Sequence, residues 1–363
     1  MNAGSPGGAK RADDAAFSER LIAWSREHGR HDLPWQHELT DFRVWLSEIM
    51  LQQTQVGTVI LYFERFVSAF PDVSTLAAAS LDDVLHLWSG LGYYTRARNL
   101  HTTARILVDE HDGRFPQSLE ALTALPGIGR STAGAILALA GNRPVAILDG
   151  NVKRVLARYH AIEGWTDRAP ILKKLWALSA RYVPEDNPRD YTQAIMDLGA
   201  TVCTRSKPDC EACPLRDDCE ARRLGQMEAY PEPRPRRDLP HRKTCFIVIE
   251  NKAGQVLLQR RPPFGVWGGL WSFPEAADES KLIERITALG FRTACIRGRL
   301  RSMTHTFTHF RLEIQPLLLV TGGTFEHVAE ADDLCWYSGE DSIRIGLPAP
   351  VSRLLKTLRS NRL

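Results

Sequence analysis

Leu125-Pro126-Gly127-Ile128-Gly129-Arg130-Ser131-Thr132-Ala133-Gly134-Ala135-Ile136 reads as a tight turn between two helical stretches. Gly127 and Gly129 allow the hairpin, because glycine carries no Cβ to clash in unusual backbone conformations. Ser131 and Thr132 stand where a side-chain oxygen caps a second helix, and Ala133, Gly134 and Ala135 are small enough for close approach of another backbone. Free amides at such a turn suit a phosphate oxygen. The same residues also describe a plain packing corner, so the meaning of the turn depends on what surrounds it.

Downstream stands Leu148-Asp149-Gly150-Asn151-Val152-Lys153-Arg154-Val155. Asp149 precedes a helical run, which makes it a natural N-cap. A capping carboxylate is held ionised by backbone amides and by the helix dipole, so it can sit as a fixed negative charge beside a developing cation. Upstream, Glu48 lies in Trp45-Leu46-Ser47-Glu48-Ile49-Met50-Leu51. On a solvent-facing helix it is an ordinary surface glutamate; turned inward, its apolar neighbours raise its pKa and keep it protonated near neutrality. Two carboxyls pushed in opposite directions are what cleavage of a glycosidic bond requires.

Four of the seven cysteines form one run, Cys203-x6-Cys210-x2-Cys213-x5-Cys219. Four thiolates so close together point to a shared inorganic centre. Structural zinc takes four thiolates as readily as an iron–sulfur cluster does, and a disulfide pair is a third possibility. Zinc sites usually show two close cysteine pairs, whereas here only Cys210 and Cys213 make one. The unequal spacers favour a [4Fe-4S] cluster. Cys245, Cys295 and Cys335 are scattered among apolar neighbours and read as buried thiols.

Length and composition bound the rest. With 363 residues, 44% hydrophobic and 25% charged, the chain is globular and large enough for two or three domains. A net charge of +3 permits a basic face without demanding one. No apolar run reaches membrane-spanning length and Met1 to Lys10 lacks a hydrophobic signal core, so a cytoplasmic chain with reduced thiols is expected. Residues 1–16 read as a disordered N-terminus. Apolar residues recur at helical spacing over 17–229, with Pro and Gly interrupting at short intervals, which predicts many short helices. Residues 230–240 are rich in Pro and Arg and read as an extended linker. Over 241–363 the texture turns to strands at Cys245–Glu250, Gln255–Gln259 and Leu312–Val320. Asn251 to Gly254 is expected to join the first two as a hairpin, and 281–289 to form a helix on the sheet. The expected architecture is multidomain: an all-α helix-hairpin-helix core with a cluster loop, then an α+β domain.

The hairpin, the Leu-Asp-Gly-Asn-Val motif and the four-cysteine loop, in that order, resemble the endonuclease III superfamily of DNA glycosylases. Trp45-Leu46-Ser47-Glu48-Ile49-Met50-Leu51-Gln52-Gln53-Thr54-Gln55-Val56 and Gly90-Leu91-Gly92-Tyr93-Tyr94-Thr95-Arg96-Ala97-Arg98-Asn99-Leu100 narrow the resemblance to the adenine DNA glycosylase family. The resemblance implies a six-helix barrel and a [4Fe-4S] domain, and removal of adenine mispaired with 8-oxoguanine or guanine in duplex DNA by a monomer, on the nucleoid if the chain is bacterial. It makes Glu48 the acid that protonates adenine, Asp149 the carboxylate facing the sugar cation, and Asn151 the residue that orients water or carboxylate. Trp35 and Gln193 fall in the adenine pocket, Gln53 and Tyr93 at the wedge beside 8-oxoguanine, and Gly127, Gly129 and Ser131 at the DNA backbone. Serine at 131 stands where strand-cutting relatives carry a Schiff-base lysine, so a monofunctional enzyme is expected. Gln36 and Gln193 depart from the residues the family often has.

The second half resembles the family's MutT-like domain, which has a Nudix fold. Of the hydrolytic Nudix pattern, Gly269, Glu275 and Glu284 remain, but Ile283 replaces the arginine and Thr287-Ala288 replaces the metal-binding glutamate pair. Too few oxygen ligands are left for a hard cation. Phe307, Thr308 and His309 match the loop that reads 8-oxoguanine, with Thr308 where serine is usual. Two rival classes stay open on the residues: a DNA-binding protein without catalysis, which the pairing of Glu48 with Asp149 argues against, and a nucleotide hydrolase, which the missing carboxylates argue against.

Overall fold

The computed structural model describes residues 7–235, 238–291, 293–322, 333–339 and 343–360. Contacts divide the chain into two compact units, 1–77 with 102–236 and 78–101 with 237–363. The expected linker at 230–240 put 78–101 with the helical half; by contacts those residues go with the second unit.

The first unit is helical. Its elements are α1 (Gly7–His28), α2 (Asp41–Leu51), α3 (Val56–Ala69) and the greater part of α4 (Val73–Ala78). After α5 (Leu81–Leu87) in the second unit, the chain returns through α6 (Thr95–His111) to α7 (Leu119–Ala124) and α8 (Arg130–Ala135), which runs on as a π-helical turn. Then come α9 (Gly150–Tyr159), α10 (Ala169–Tyr182), α11 (Pro188–Asp197), again prolonged by a π turn, and α12 (Glu220–Arg223). The starts are set locally. Thr40 Oγ1 accepts from Arg43 N (3.2 Å) and Ser118 Oγ from Ala121 N (3.2 Å), while α10 and α11 carry proline in the first turn. Trp45, Phe63, Phe66, Leu122, Leu156 and Leu175 are fully buried, and burial of each such side chain stabilises the unit by about 1.5–3 kcal/mol.

Two expectations fail in this unit. Residues 7–16 are helical rather than disordered: Ala15 and Ala16 favour helix, Asp14 pairs with Arg181 at 2.6 Å, and Phe17 stacks on Tyr182 at 4.1 Å. Residues 1–6 lie outside the described residues. The start of the supposed linker is also held down. Tyr230 O accepts from Arg158 Nε (2.9 Å), Glu232 Oε1 from Gly164 N (2.7 Å), and the Arg234 guanidinium lies over the Trp165 ring.

The second unit is built on β1 (His241–Ile249), β2 (Val256–Arg260), β3 (Trp271–Ser272), β4 (Glu275–Ala276), β5 (Thr293–Arg299), β6 (Met303–Thr306), β7 (Arg311–Gly322) and β8 (Leu334–Tyr337). One sheet has the order β4-β1-β7-β5 with β6 also on β7; the other is β3-β2-β8. β1 and β7 run parallel, with Cys245 opposite Gln315 and Ile249 opposite Leu319. The expected hairpin is only half present. Asn251 N does donate to Gln255 O (3.0 Å), but past the single bridge of Glu250 with Val256 the two strands part into different sheets. Each strand finds a better partner far away in sequence. The expected helix exists as α13 (Leu282–Ala288), whose Leu282 and Ile286 pack on Cys245, Ile247, Ile249 and Leu257. Cys295 is exposed, against the expectation of a buried thiol.

The 78–101 segment is bound into this unit, together with the chain leading to α14 (Ala349–Ser360). Leu85 and Trp88 are fully buried, Tyr94 Oη donates to Leu347 O (2.9 Å), Arg98 Nη1 donates to Gly268 O (2.6 Å), and Arg260 pairs with Asp82. Gly346 permits the approach, since a Cβ there would lie 2.6 Å from Leu85 Cβ.

Candidate active site

A cavity of about 580 Å³ in the helical unit collects all three expected catalytic residues and several of the other expected site residues. Trp35, Glu48, Gln53, Ser131, Asp149, Asn151 and Gln193 all line it. The apolar face of α2 packs inward through Val44, Trp45, Ile49 and Met50, which turns Glu48 toward the cavity. Among the described residues nothing hydrogen-bonds its carboxyl. Burial, and secondly the negative charge of Asp149, push its pKa up to about 8.

Asp149 is the N-cap of α9, as its place in the sequence suggested. Its Oδ1 accepts from Val152 N (2.7 Å) and its Oδ2 from Asn151 Nδ2 (3.3 Å). Asn151 Oδ1 in turn accepts from Arg154 Nη2 (2.8 Å), and Arg154 also donates to Gly199 O (2.6 Å) and Cys203 O (2.7 Å). The two carboxyls are not pushed apart as expected. Burial raises Asp149 as well, outweighing the hydrogen bonds from Val152 and Asn151 and the charge of Arg154, which pull it down. The asymmetry lies in the partners instead. Asp149 has donors that favour its ionised form and Glu48 has none, so a proton shared by the pair resides on Glu48.

The hairpin departs from expectation in its capping. Gly129 is the N-cap of α8 and offers no side chain; Ser131 Oγ accepts from Leu148 N (2.9 Å), which ties the hairpin to the strand of chain leading into Asp149. Gly127 needs its glycine, with φ +79°, whereas Gly129 has an ordinary φ and open space around its Cα. Both glycines are exposed and, among the described residues, their amides donate to nothing.

Trp35 is buried at the cavity wall against Phe63, with ring centroids 5.4 Å apart. Gln193 Nε2 donates to Asp197 Oδ1 (2.9 Å), and buried Asp197 is held by Arg30 through Nη2 at 2.6 Å and the backbone N at 2.9 Å. Arg30 and Asp197 escaped the sequence reading. The one available signal was a carboxylate inside the apolar run Ala194-Ile195-Met196-Asp197-Leu198. Gln53 and Tyr93, one in each unit, share a feature: both are non-glycine residues at positive φ, +57° and +49°. Such strain is held where the surroundings over-determine it, and it concentrates at functional sites.

The four cysteines of the loop are all free and line one small cavity with Arg158, Arg216 and Arg222. No three His, Cys, Asp or Glu side chains among the described residues converge as a single ion requires. Four thiols lining one cavity suit the [4Fe-4S] cluster that four cysteines hold. Burial and mutual repulsion push the Cys213 thiol up to about 12, a cost that metal binding removes. Arg158 Nη1 donates to Cys203 Sγ (3.4 Å) and to Thr204 O (2.6 Å), which places positive charge against the thiolates.

A second cavity, of about 810 Å³, lies within the other unit. Tyr93, Arg98, Arg242, Trp267, Phe307, Thr308 and His309 line it, and among the described residues no acidic one does. Phe307 N donates to Phe310 O (2.8 Å) and the two rings stack at 4.5 Å, fixing the loop that exposes Thr308 and His309. Of the two surviving Nudix glutamates, Glu275 is paired with Arg261 and Glu284 with Lys281 (3.0 Å).

Comparison with known proteins agrees with this geometry. The HhH-GPD superfamily base excision DNA repair protein profile matches residues 46–181, the iron–sulfur binding domain of endonuclease III matches 203–219, and the NUDIX domain matches 244–357. Adenine DNA glycosylase of Buchnera aphidicola subsp. Acyrthosiphon pisum is 39% identical, over 95% of this chain and 98% of its own length. The human adenine DNA glycosylase is 35% identical, over 84% of this chain and 67% of its own. A thermostable thymine-DNA glycosylase structure superposes with a TM-score of 0.54 at 26% identity, over 61% of this chain and all (100%) of its own. A non-covalent endonuclease III–DNA complex gives 0.51 at 20% identity, over 59% and 97%, and shares the fold. The fold and the site thus define a helix-hairpin-helix DNA glycosylase of base excision repair, with a [4Fe-4S] cluster in the four-cysteine loop. Within that class the chain belongs to the adenine DNA glycosylase family.

Proposed function

We infer that the protein removes adenine mispaired with 8-oxoguanine or guanine in duplex DNA, acting as a single chain and leaving an abasic site. The observation that carries the reading is the meeting of Glu48 and Asp149 in one cavity, with Glu48 pushed up to about 8. Reaching the bond requires flipping adenine out of the duplex, at a cost of a few kcal/mol. Protonated Glu48 gives its proton to N7 of the flipped base. The C1′–N9 bond then breaks with its electron pair leaving on a neutral adenine. Asp149 faces the resulting sugar oxocarbenium with its negative charge, and Asn151 holds that carboxylate in place through the 3.3 Å hydrogen bond. Water adds at C1′, and the proton it loses restores the pair.

The absence, among the described residues, of a lysine lining the cavity, and serine at 131, support hydrolysis without a Schiff base. Trp35 offers an aromatic wall for the adenine. Gln193, fixed by Asp197 and Arg30, offers a polar edge. The hairpin amides of Gly127 and Gly129 suit a DNA phosphate. Preference for 8-oxoguanine is assigned to the second cavity, where Phe307, Thr308 and His309 present an aromatic ring, a hydroxyl and an imidazole. The cluster, when bound, fixes the fold of its loop and adds no step to the reaction.

The test uses duplexes carrying adenine opposite 8-oxoguanine, guanine or thymine, treated with alkali to reveal abasic sites. Strand breaks opposite 8-oxoguanine, fewer opposite guanine and none opposite thymine are expected, with no adduct trapped by borohydride. Equal cleavage of all three duplexes, or efficient trapping, would overturn the reading.

A further inference from the structure

Phe264 is the most exposed large hydrophobic side chain among the described residues, at 87%. A lone exposed aromatic on a mobile loop means little, but this loop is rigid. Pro262 and Pro263 fix the backbone before it, and Gly265 takes φ +89° after it. Gly269 N donates to Pro262 O (3.0 Å), Gly268 N to Gly265 O (3.4 Å), and Arg261 Nε to Val266 O (2.7 Å). Gly268 lies so close beneath the turn that a Cβ there would collide with the Pro263 carbonyl. The ring is therefore held out in water by a preorganised turn, with no packing gained in return.

Its position says what covers it. The residues that immediately follow, Gly265, Val266 and Trp267, form part of the wall of the second cavity. Arg98 and Arg242 line that wall and, among the described residues, no carboxylate does, so it faces an anion. Trp267 and Phe307 lie 5.4 Å apart and His305 is 4.5 Å from Phe307, making the floor an aromatic platform. A rigid aromatic at the rim of a cationic, aromatic-lined cavity matches a nucleic-acid strand, whose bases stack on rings while its phosphates meet arginines.

We propose that Phe264 is a DNA-contacting residue that stacks on the base next to the orphan base, in the strand opposite the excised adenine. This rests on the reading that the second cavity receives the orphan base. Stacking there holds the lesion strand while the orphan base is examined, and it works equally for 8-oxoguanine and guanine, since every base has a π face.

The full-length holoprotein and its Phe264→Ala and Phe264→Trp forms are compared for binding to duplexes with an uncleavable adenine analogue opposite 8-oxoguanine or guanine. Phe264→Ala should bind both about tenfold more weakly, while Phe264→Trp binds as the native protein does. In the same duplexes, 2-aminopurine placed beside the orphan base should change its emission on binding the native or the Phe264→Trp protein and stay flat with Phe264→Ala. The exposed site keeps folding out of the result, and matching thermal melts confirm it. Native affinity in Phe264→Ala overturns the inference, as does weakened binding with an unchanged 2-aminopurine response; both outcomes leave the ring to another partner or to no partner. Failure of the native protein to excise adenine opposite 8-oxoguanine would instead remove the functional reading, independently of the Phe264 results.

Discussion

At Glu48 the apolar packing of α2 brings a carboxyl into surroundings that disfavour its charge, and Asp149 adds to the effect. The folded pKa of about 8 lies above the ordinary value of 4.5, so between those values the folded state holds a proton that the unfolded chain has lost. Stability therefore falls as pH rises from about 4.5 to about 8. Glu48→Gln removes that dependence. Its melting temperature should exceed the native one by ~3–6 °C at pH 8 and converge with it near the pH where glutamate ordinarily titrates. The same variant should lose excision by ~10²–10⁴-fold in single-turnover assays while still binding the mispaired duplex. Native excision should decline as pH climbs through the Glu48 pKa. A pH-independent native rate, or a Glu48→Gln variant that melts like the native protein at both pH values, would show that the carboxyl is not buried as described. None of this was settled by the residue itself, since a glutamate on an amphipathic helix is equally at home on the surface.

At the scale of the element, α9 joins the site to the cluster loop. Its N-cap is Asp149, and further along Arg154 and Arg158 reach Cys203 O and Cys203 Sγ. Capping was legible because it is local: an aspartate before a helical run, bonded three residues on. The wrongly placed caps at Ser131 and Thr132 fail for the complementary reason, since Leu148 N, distant in sequence, takes the Ser131 oxygen. Asp149→Asn should leave the helix intact, as asparagine caps nearly as well, and abolish most excision. Gly199 lies where the π turn after α11 meets α9, and a Cβ there would be 2.6 Å from Asn151 Cβ. Gly199→Ala should thus cost about 1–3 kcal/mol in denaturant melts and slow excision by shifting Asn151. A Gly199→Ala protein with native stability and rate would show that the contact relaxes freely.

Over the whole molecule, two dependencies are testable. Iron removal leaves four thiols whose ionised forms repel one another, so stripping the cluster should bleach the protein, unfold the 203–219 loop and lower the melting temperature. Cys210→Ser or Cys213→Ser should do the same; a colourless variant with native stability would argue that the cluster is dispensable to the fold. The second dependency concerns 78–101, which belongs by contacts to the second unit. A chain ending at residue 235 would leave Leu85 and Trp88 without their surroundings, and should melt lower and bind a hydrophobic dye. Melting of the truncated chain at the full-length temperature would count against that assignment.

The sequence alone determined what depends on short-range pattern: the glycine hairpin, the capping aspartate, the four-cysteine loop and the loss of the Nudix carboxylates. These are set by chemistry within a few residues, so order and spacing suffice. Only the tertiary structure decided the rest. It turned Glu48 into the cavity, raised both carboxyls together, set Asp197 and Arg30 behind Gln193, and parted β1 from β2. It also gave 78–101 to the second unit. Those outcomes depend on which distant side chains meet and how much water they exclude, and burial of that kind leaves no trace in local spacing.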